Sequence, residues 1–220
     1  MTAQAGSASS LSPPLQSTPE RQELRRQLRH QLRQLARQRR RALSRAERDA
    51  AHRQFARLLS RSHLLRAGRR VAVYFAYGHE ADLRHVIGLA RRHGCELYLP
   101  VITHFRHNRM RFVRYRGDSV MRVNRYGIAE PQARHGETIA ALRLDLVLLP
   151  LVAFDDHGSR LGSGAGFYDR SLQHLRAGRR WRRPALLGVG YECQRMPRWQ
   201  PDRWDVPLDG MLTERVLHWF

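Results

Sequence analysis

The sequence contains no lysine: its 40 Lys-plus-Arg positions are all arginine. That absence excludes two kinds of chemistry. A Walker-type phosphate loop needs its lysine, and a Schiff-base enzyme needs a lysine amine. Cysteine is nearly as scarce. Cys95 and Cys193 are far apart and neither belongs to a CxxC pair, so thiol or zinc chemistry is not expected. No apolar run approaches the roughly 20 residues that cross a bilayer. The N-terminus also lacks the basic start and apolar stretch of a secretory signal. These gaps together predict a cytoplasmic protein with no membrane partner.

Acidic residues number 19 against the 40 cations, and the net charge is +21. Such a balance is the footprint of a nucleic-acid binder, or of a pocket built for polyanionic ligands. Composition alone leans toward the first. Residues 1–19 are uncharged and rich in Ser, Ala, Gln, Pro and Thr, which reads as a disordered tail. The remainder, 20–220, reads as one domain long enough to bury a core.

Leu24, Leu28, Leu32 and Leu35 recur every three or four residues, predicting a helix from Glu20 to about Leu43 with these leucines on one face. Ser44 and Glu47 form a capping-box pair, so a second helix starts there and runs to about Leu65. Val71–Tyr77 is short, β-branched and aromatic, hence a buried strand. A helix over about Asp82–His93 stops at Gly94. Glu96–Val101 reads as a strand, and Met110–Tyr115, which alternates, as a more exposed one. A turn at Asn124–Gly127 precedes a short helix over Glu137–Leu142. Asp145–Phe154 is the most apolar run and therefore a central strand. A glycine-rich loop then feeds a helix from about Phe167 to Arg176, and Ala185–Tyr191 is a further strand. The alternation implies an α/β fold: a single-domain, three-layer, mostly parallel sheet with helices on both faces, preceded by the Arg-rich helix. Ligands in such sheets bind beyond the carboxyl ends of the strands, here after Tyr77, Val101, Phe154 and Tyr191.

The richest of these ends is Phe154–Arg170. Gly162, Gly164 and Gly166 alternate between a strand and a helix, which lets backbone N–H groups converge on an anion. Arg160 enters the loop and can fork onto a phosphate. Asp169 stands in the first helical turn, where a carboxylate can hold Mg²⁺ beside phosphates. Neither GxGxxG nor GxxxxGK[ST] spacing is present, so the Rossmann and P-loop fingerprints both fail. A flexible glycine turn is the plain alternative; Arg160 before the loop and Phe167-Tyr168-Asp169 after it favour phosphate binding. Arg29, Arg33, Arg37 and Arg41 are four apart and form one stripe, explained by an anionic partner or by a solvated charged face. Glu80 follows a buried strand. A carboxylate there can accept two hydrogen bonds from an amino-pyrimidinone edge, with Phe75 as an apolar wall; an ordinary loop acid is the alternative.

The runs Pro150-Leu-Val-Ala-Phe-Asp155 and Gly158-Ser-Arg-Leu-Gly-Ser-Gly-Ala-Gly-Phe-Tyr-Asp-Arg170 resemble the signature of the 5-formyltetrahydrofolate cyclo-ligases. The Arg-rich first helix, Glu80 after its strand, Gly127-Ile-Ala-Glu-Pro131 and Trp204-Asp-Val-Pro-Leu208 are similar to that family's, in the same order, over about residues 29–217. The likeness is nearest to bacterial members. It implies a ligase: ATP- and Mg²⁺-dependent closure of 5-formyltetrahydrofolate to 5,10-methenyltetrahydrofolate, with release of ADP and phosphate. The formyl oxygen on N5 would attack the γ-phosphate, and N10 would then close the ring as phosphate leaves.

The resemblance also implies residue roles. Arg29, Arg33 and Arg160 would bind the ATP phosphates, with Arg160 and Arg33 carrying the catalytic charge. Leu161, Gly162, Ser163, Gly164, Ala165, Gly166, Phe167 and Tyr168 would form the ATP cradle. Phe75, Glu80 and Tyr126 would bind the folate, and Asp169 and Asp205 the metal. For Tyr126 simple packing stays open, and for Asp205 a plain turn acid. Ser163 and Ala165 are small and neutral where some relatives carry a cation. The implied partners are a reduced folate and ATP, with no nucleic acid and no membrane, in a monomer. The alternative function is a basic RNA- or DNA-binding protein using the Arg-rich helix. It gives no reason for the glycine loop to precede Phe167-Tyr168-Asp169.

Overall fold

The computed structural model describes residues 18–104, 109–134, 136–175 and 184–220. Residues 1–17 of the expected tail, and Arg176 at the expected end of a helix, lie outside them. Helix α1 spans Pro19–Ala42, with Thr18 as its cap and Pro19 in the first turn, where a missing N–H would have had no partner anyway. Helix α2, Arg45–Ser60, opens on the expected capping box: Glu47 N–H donates to Ser44 Oγ at 3.2 Å, and Ser44 N–H to Glu47 Oε2 at 2.7 Å. It ends at Ser60 and not near Leu65. The Ser60 and Ser62 hydroxyls donate to the Arg57 and Leu59 carbonyls, which closes the last turn.

Strand β1 (Arg70–Ala72) is shorter than the predicted Val71–Tyr77. Helix α3 (Arg84–Arg92), β2 (Glu96–His104) and β3 (Arg109–Arg114) follow. Strands β4 (Met121–Val123) and β5 (Ala129–Pro131) pair as a small hairpin around the predicted turn. The stretch expected as a helix over Glu137–Leu142 is instead strand β6 (Thr138–Ile139) and a 3₁₀ turn over Ala141–Arg143. Pairing of Ile139 and Thr138 with Phe112 and Val113 on the open side of β3 overrides the local helical pattern.

Strand β7 (Leu146–Pro150) ends at a proline, which has no N–H to continue the ladder. The chain then doubles back as the hairpin β8 (Ala153–Phe154) and β9 (Arg160–Leu161). Helix α4 (Phe167–Leu172), β10 (Ala185–Val189), β11 (Gly210–Leu212) and β12 (Leu217–Trp219) complete the order.

The 8-stranded main sheet runs β12-β11-β10-β7-β1-β2-β3-β6. Strands β11, β10, β7, β1 and β2 are parallel; β12 at one edge, and β3 and β6 at the other, pair antiparallel. The expected mostly parallel α/β sheet is therefore what forms. Within β7, Leu146 and Leu148 pack with Phe55 and Leu59 of α2 and Val86 and Ala90 of α3. Val147 and Leu149 pack on the opposite face with Leu172 and Leu175. A continuous apolar run that splits with period two is the mark of a strand buried on both faces. Each such side chain contributes about 1.5–3 kcal/mol by leaving water.

Helix α1 lies outside these layers. Leu32 and Ala36 pack on the hairpin through Val152, Ala153 and Leu161, with Met196 and Trp199 beside them. Of the four leucines on that face Leu32 is buried, and Leu24, Leu28 and Leu35 are exposed. The apolar contact is confined to the turn around Leu32 and Ala36. Arg33 and Arg37, each next in sequence to a buried residue, reach the Gly162 and Ser163 carbonyls just past the hairpin. No described helix is long and apolar enough to cross a membrane.

Candidate active site

A cleft of about 330 Å³ opens at the carboxyl ends of β1, β2 and β7, between the Tyr74–Glu80 segment, the β4–β5 hairpin and the glycine loop. The first wall arises because β1 leaves the ladder early. Val73 N–H still donates to Tyr98 O at 2.9 Å, and beyond it the chain rises off the sheet. Gly78 takes φ 61° there, which an L side chain rarely adopts. Glu80 N–H then donates to Tyr77 O at 3.2 Å, and Glu80 Oε2 accepts the Tyr77 N–H at 3.1 Å. Burial pushes the Glu80 carboxyl above its ordinary value, while the Tyr77 N–H and then Arg40 pull it back. Phe75 lines the same wall and packs edge-on against Tyr115 at 5.4 Å.

The second wall is set by Asn124. Its Oδ1 accepts the Tyr126 and Ile128 N–H groups at 2.9 and 3.1 Å, and its Nδ2 donates to Glu130 Oε1 at 2.9 Å. The same Glu130 oxygen accepts the Ile102 N–H at 3.2 Å, pinning the hairpin to β2. Tyr126 thereby meets Phe167 edge-on, centroids 6.1 Å apart, across the mouth of the cleft. Nothing local in the sequence marks Glu130, since its role depends on Ile102, 28 residues away.

The third wall is the glycine loop. Arg160, in the short β9, is buried and donates from Nη2 to Asp169 Oδ1 at 2.6 Å. Asp169 Oδ1 also accepts the Val206 N–H at 3.1 Å, which brings Asp205, the preceding residue, alongside. Two of the three glycines are required by backbone shape: Gly164 has φ 115° and Gly166, the N-cap of α4, has φ 70°. Gly162 does not, and its carbonyl instead accepts Arg33 Nε at 3.0 Å. Helix α4 has only six residues before a 3₁₀ turn, shorter than expected. Ser163, Ala165, Phe167 and Tyr168 line the cleft, whereas Leu161 is buried beneath it against α1. Burial, and then Glu80, hold the Tyr168 hydroxyl well above its ordinary value, so it stays a proton donor.

The arginine stripe turns inward. Arg29 Nη1 lies 2.6 Å from Asp202 Oδ2 and 2.9 Å from Asp205 Oδ2. Arg33 reaches Gly162 O, and Arg37 Nη2 reaches Ser163 O at 3.4 Å. Only Arg41 of the four is exposed. Burial, then Arg29 and Arg37, pull the Arg33 guanidinium down from its ordinary value, with Asp205 and Asp202 opposing. It remains a cation, since arginine does not deprotonate in proteins. Asp202 carried no signal in the sequence beyond lying three residues before Asp205.

The backbone after Asp205 thus reaches Asp169, and each of the two carboxyls is tied to an arginine. Asp169 spends only Oδ1 on these bonds, leaving Oδ2. Among the described residues no group of three or more His, Cys, Asp or Glu forms a metal cage. Magnesium does not ask for one: it takes one or two carboxylates and completes its shell with water and phosphate oxygens. The donor set fits that ion.

The chain matches the model of the 5-formyltetrahydrofolate cyclo-ligase family over residues 17–214. It is 35% identical over 150 residues to the 5-formyltetrahydrofolate cyclo-ligase of Haemophilus influenzae, covering 67% of this chain and 77% of the relative. To that of Escherichia coli K12 it is 36% identical over 152 residues, covering 68% and 80%. Its fold is similar to the NMR structure of Aquifex aeolicus 5,10-methenyltetrahydrofolate synthetase, with a TM-score of 0.72 and 29% identity over 87% of this chain and 92% of that one. The Mycoplasma pneumoniae 5,10-methenyltetrahydrofolate synthetase shares the fold at a TM-score of 0.62 and 22% identity, over 83% of this chain and 96% of that one. Family model, relatives and shared fold agree: the chain belongs to the 5-formyltetrahydrofolate cyclo-ligase family.

Proposed function

We propose that this chain closes 5-formyltetrahydrofolate to 5,10-methenyltetrahydrofolate at the expense of ATP, with Mg²⁺. One observation carries the reading: a single cleft joins an apolar wall bearing Glu80 to a glycine loop with Arg160 at its base and Arg33 and Arg37 on its carbonyls. The pterin edge goes to Glu80 as hydrogen-bond acceptor, with Phe75 beneath it and Tyr126 over it. The triphosphate lies along Gly162–Tyr168, its charge met by Arg160, Arg33 and Arg29. Asp169 and Asp205 hold the magnesium ion, Asp205 by giving up Arg29, which is then free to move onto phosphate. Bound there, the ion neutralises phosphate charge as it builds on the leaving ADP.

The chemistry asks little else of the protein. The formyl oxygen attacks the γ-phosphorus, ADP departs, N10 attacks the activated formyl carbon, and phosphate leaves with loss of the N10 proton. Placement and charge neutralisation dominate such a reaction, and they match a site of arginines, backbone N–H groups and carboxylates. The Tyr126–Phe167 contact narrows the mouth and keeps water from the activated formyl group. A nucleic-acid role for the arginine helix finds no support in its geometry, because Arg29, Arg33 and Arg37 are engaged by the chain itself.

The test is direct. Purified protein mixed with 5-formyltetrahydrofolate and Mg-ATP should generate the near-ultraviolet band of the methenyl product, dependent on ATP. Folded protein that gives no such band would overturn the reading.

A further inference from the structure

Arg29 faces two carboxylates, although the reaction just described uses only one of them. Its Nη1 lies 2.6 Å from Asp202 Oδ2 and 2.9 Å from Asp205 Oδ2, and its Nη2 reaches Asp205 Oδ1 at 3.4 Å. The Arg29 and Asp205 side chains are each 11% exposed, so this meeting of charges is largely dry. The turn that carries both acids does not need the Asp202 side chain. Asp202 N–H donates to Asp205 Oδ2 at 2.8 Å, and Asp205 N–H donates to Asp202 O at 3.0 Å, both through the Asp202 backbone. What the Asp202 carboxyl holds is Arg29.

When Asp205 turns to magnesium, Arg29 loses both of its contacts with that carboxylate. A guanidinium left without an anion in so dry a place is costly. On a long side chain it also has many rotamers in which to turn away. Asp202 meets both difficulties. A guanidinium carries five N–H donors in a rigid planar fork. Asp202 takes one hydrogen of Nη1, and the hydrogens that Asp205 gives up, on Nη1 and Nη2, remain for phosphate oxygens. Anchor and phosphate can therefore be held at once.

We propose that Asp202 is a positioning residue for the nucleotide: it anchors Arg29 through Nη1 while Asp205 passes to the metal, so that the guanidinium meets the triphosphate already in place. This rests on reading Arg29 as a phosphate contact and Asp205 as a metal ligand. Asp202→Asn keeps the shape and the backbone bonds of the turn and removes the charge that holds Arg29. Its KM for ATP rises roughly tenfold, the effect of losing one charge-assisted hydrogen bond, while the KM for 5-formyltetrahydrofolate does not move. Asp202→Glu keeps the carboxylate and stays near the wild-type value. In Arg29→Met the Asp202→Asn change costs nothing further, because the two residues act as one unit.

Calorimetric titration with Mg²⁺ and the β,γ-imido analogue of ATP, folate absent, reads the same effect as a dissociation constant. Binding to wild type without any closure of folate would sink the proposed reaction, and the double-mutant cycle would still decide the role of Asp202. The expected result is binding roughly tenfold weaker in Asp202→Asn, with no such loss in the Arg29→Met background. An unchanged constant would make Asp202 idle, and a tighter one would make it a competitor with phosphate for Arg29. The same loss in the Arg29→Met background, or equal losses in both KM values, would make it merely structural. Each of these overturns the proposal, and wild type that binds no nucleotide overturns it together with the nucleotide site.

Discussion

Arg160 Nη2 and Asp169 Oδ1 meet at 2.6 Å across the base of the glycine loop, and the arginine side chain is only 3% exposed. In the proposed reaction the two partners serve different ends of Mg-ATP, the cation on phosphate and the carboxylate on metal. Unliganded, each shields the other. Removing one member leaves the other charged and largely dry, which is the costly way to break such a pair.

Asp169→Ala is therefore expected to act twice. Turnover falls by on the order of 100-fold or more, as when one electrostatic contact to a developing charge is deleted. Stability falls by about 1–3 kcal/mol, less than for a fully buried pair because Asp169 keeps 19% of its side-chain surface. Thermal melts in Mg-ATP distinguish the two effects. The nucleotide raises the wild-type Tm but leaves the variant where it was. A variant that is still stabilised by Mg-ATP as strongly as wild type would remove Asp169 from the metal site.

The glycine loop makes a contrast between neighbours. An alanine Cβ at Gly162 would have Arg160 Nη1 as its nearest neighbour, at 3.8 Å, and the backbone there is not left-handed. Gly166 also has room, with Arg170 atoms at 3.7 Å, but its φ of 70° strains any L side chain. Gly166→Ala is expected to lose about 1–2 kcal/mol in urea unfolding, and Gly162→Ala close to nothing. Equal losses would mean that contacts, not backbone shape, set the cost.

What could be read from the sequence was chemistry that resides in short spacing. Ser44 with Glu47 declares itself within four residues because capping is a local backbone task, and Arg160 meets Asp169 within ten. The misreadings have a common cause in distant partners. The period of Leu24, Leu28, Leu32 and Leu35 marks the helix correctly, but it does not say that only the turn around Leu32 and Ala36 meets the β8–β9 hairpin. Glu137–Leu142 was drawn into a strand by β3. Arg40 is hidden within Arg39-Arg40-Arg41, where no periodicity separates the inward cation from its neighbours. Arg29 likewise depends on Asp202 and Asp205 near the other end of the chain.

The capping box at α2 offers a stability test remote from the cleft. Ser44→Ala removes the Oγ that accepts the Glu47 N–H and costs about 1 kcal/mol. For a chain of this size that corresponds to a Tm lower by about 2–4 °C. The kcat should be untouched, since neither residue lines the cleft. A drop in kcat at temperatures well below the melt would tie α2 to the reaction and contradict this separation.

His52 governs a pH dependence of stability. It is 5% exposed, its Nε2 is 2.7 Å from the Tyr191 hydroxyl, and burial is the chief reason its imidazole is held below the ordinary 6.5. Below that ordinary value the unfolded chain takes up a proton that the folded chain resists. Stability is therefore full above about pH 6.5 and falls as the pH drops from there toward the lower folded value. The raised Glu80 has the opposite sign, its charged form being the disfavoured one, but it is present in wild type and in His52→Gln alike and cancels between them. His52→Gln keeps a hydrogen-bonding group for Tyr191 and removes the ionisation. Urea unfolding of both proteins between about pH 5 and 8 should give a wild-type advantage that shrinks steadily on the acid side. A difference that stays constant across that range would show that His52 takes its proton as readily folded as unfolded, and the burial argument would fail.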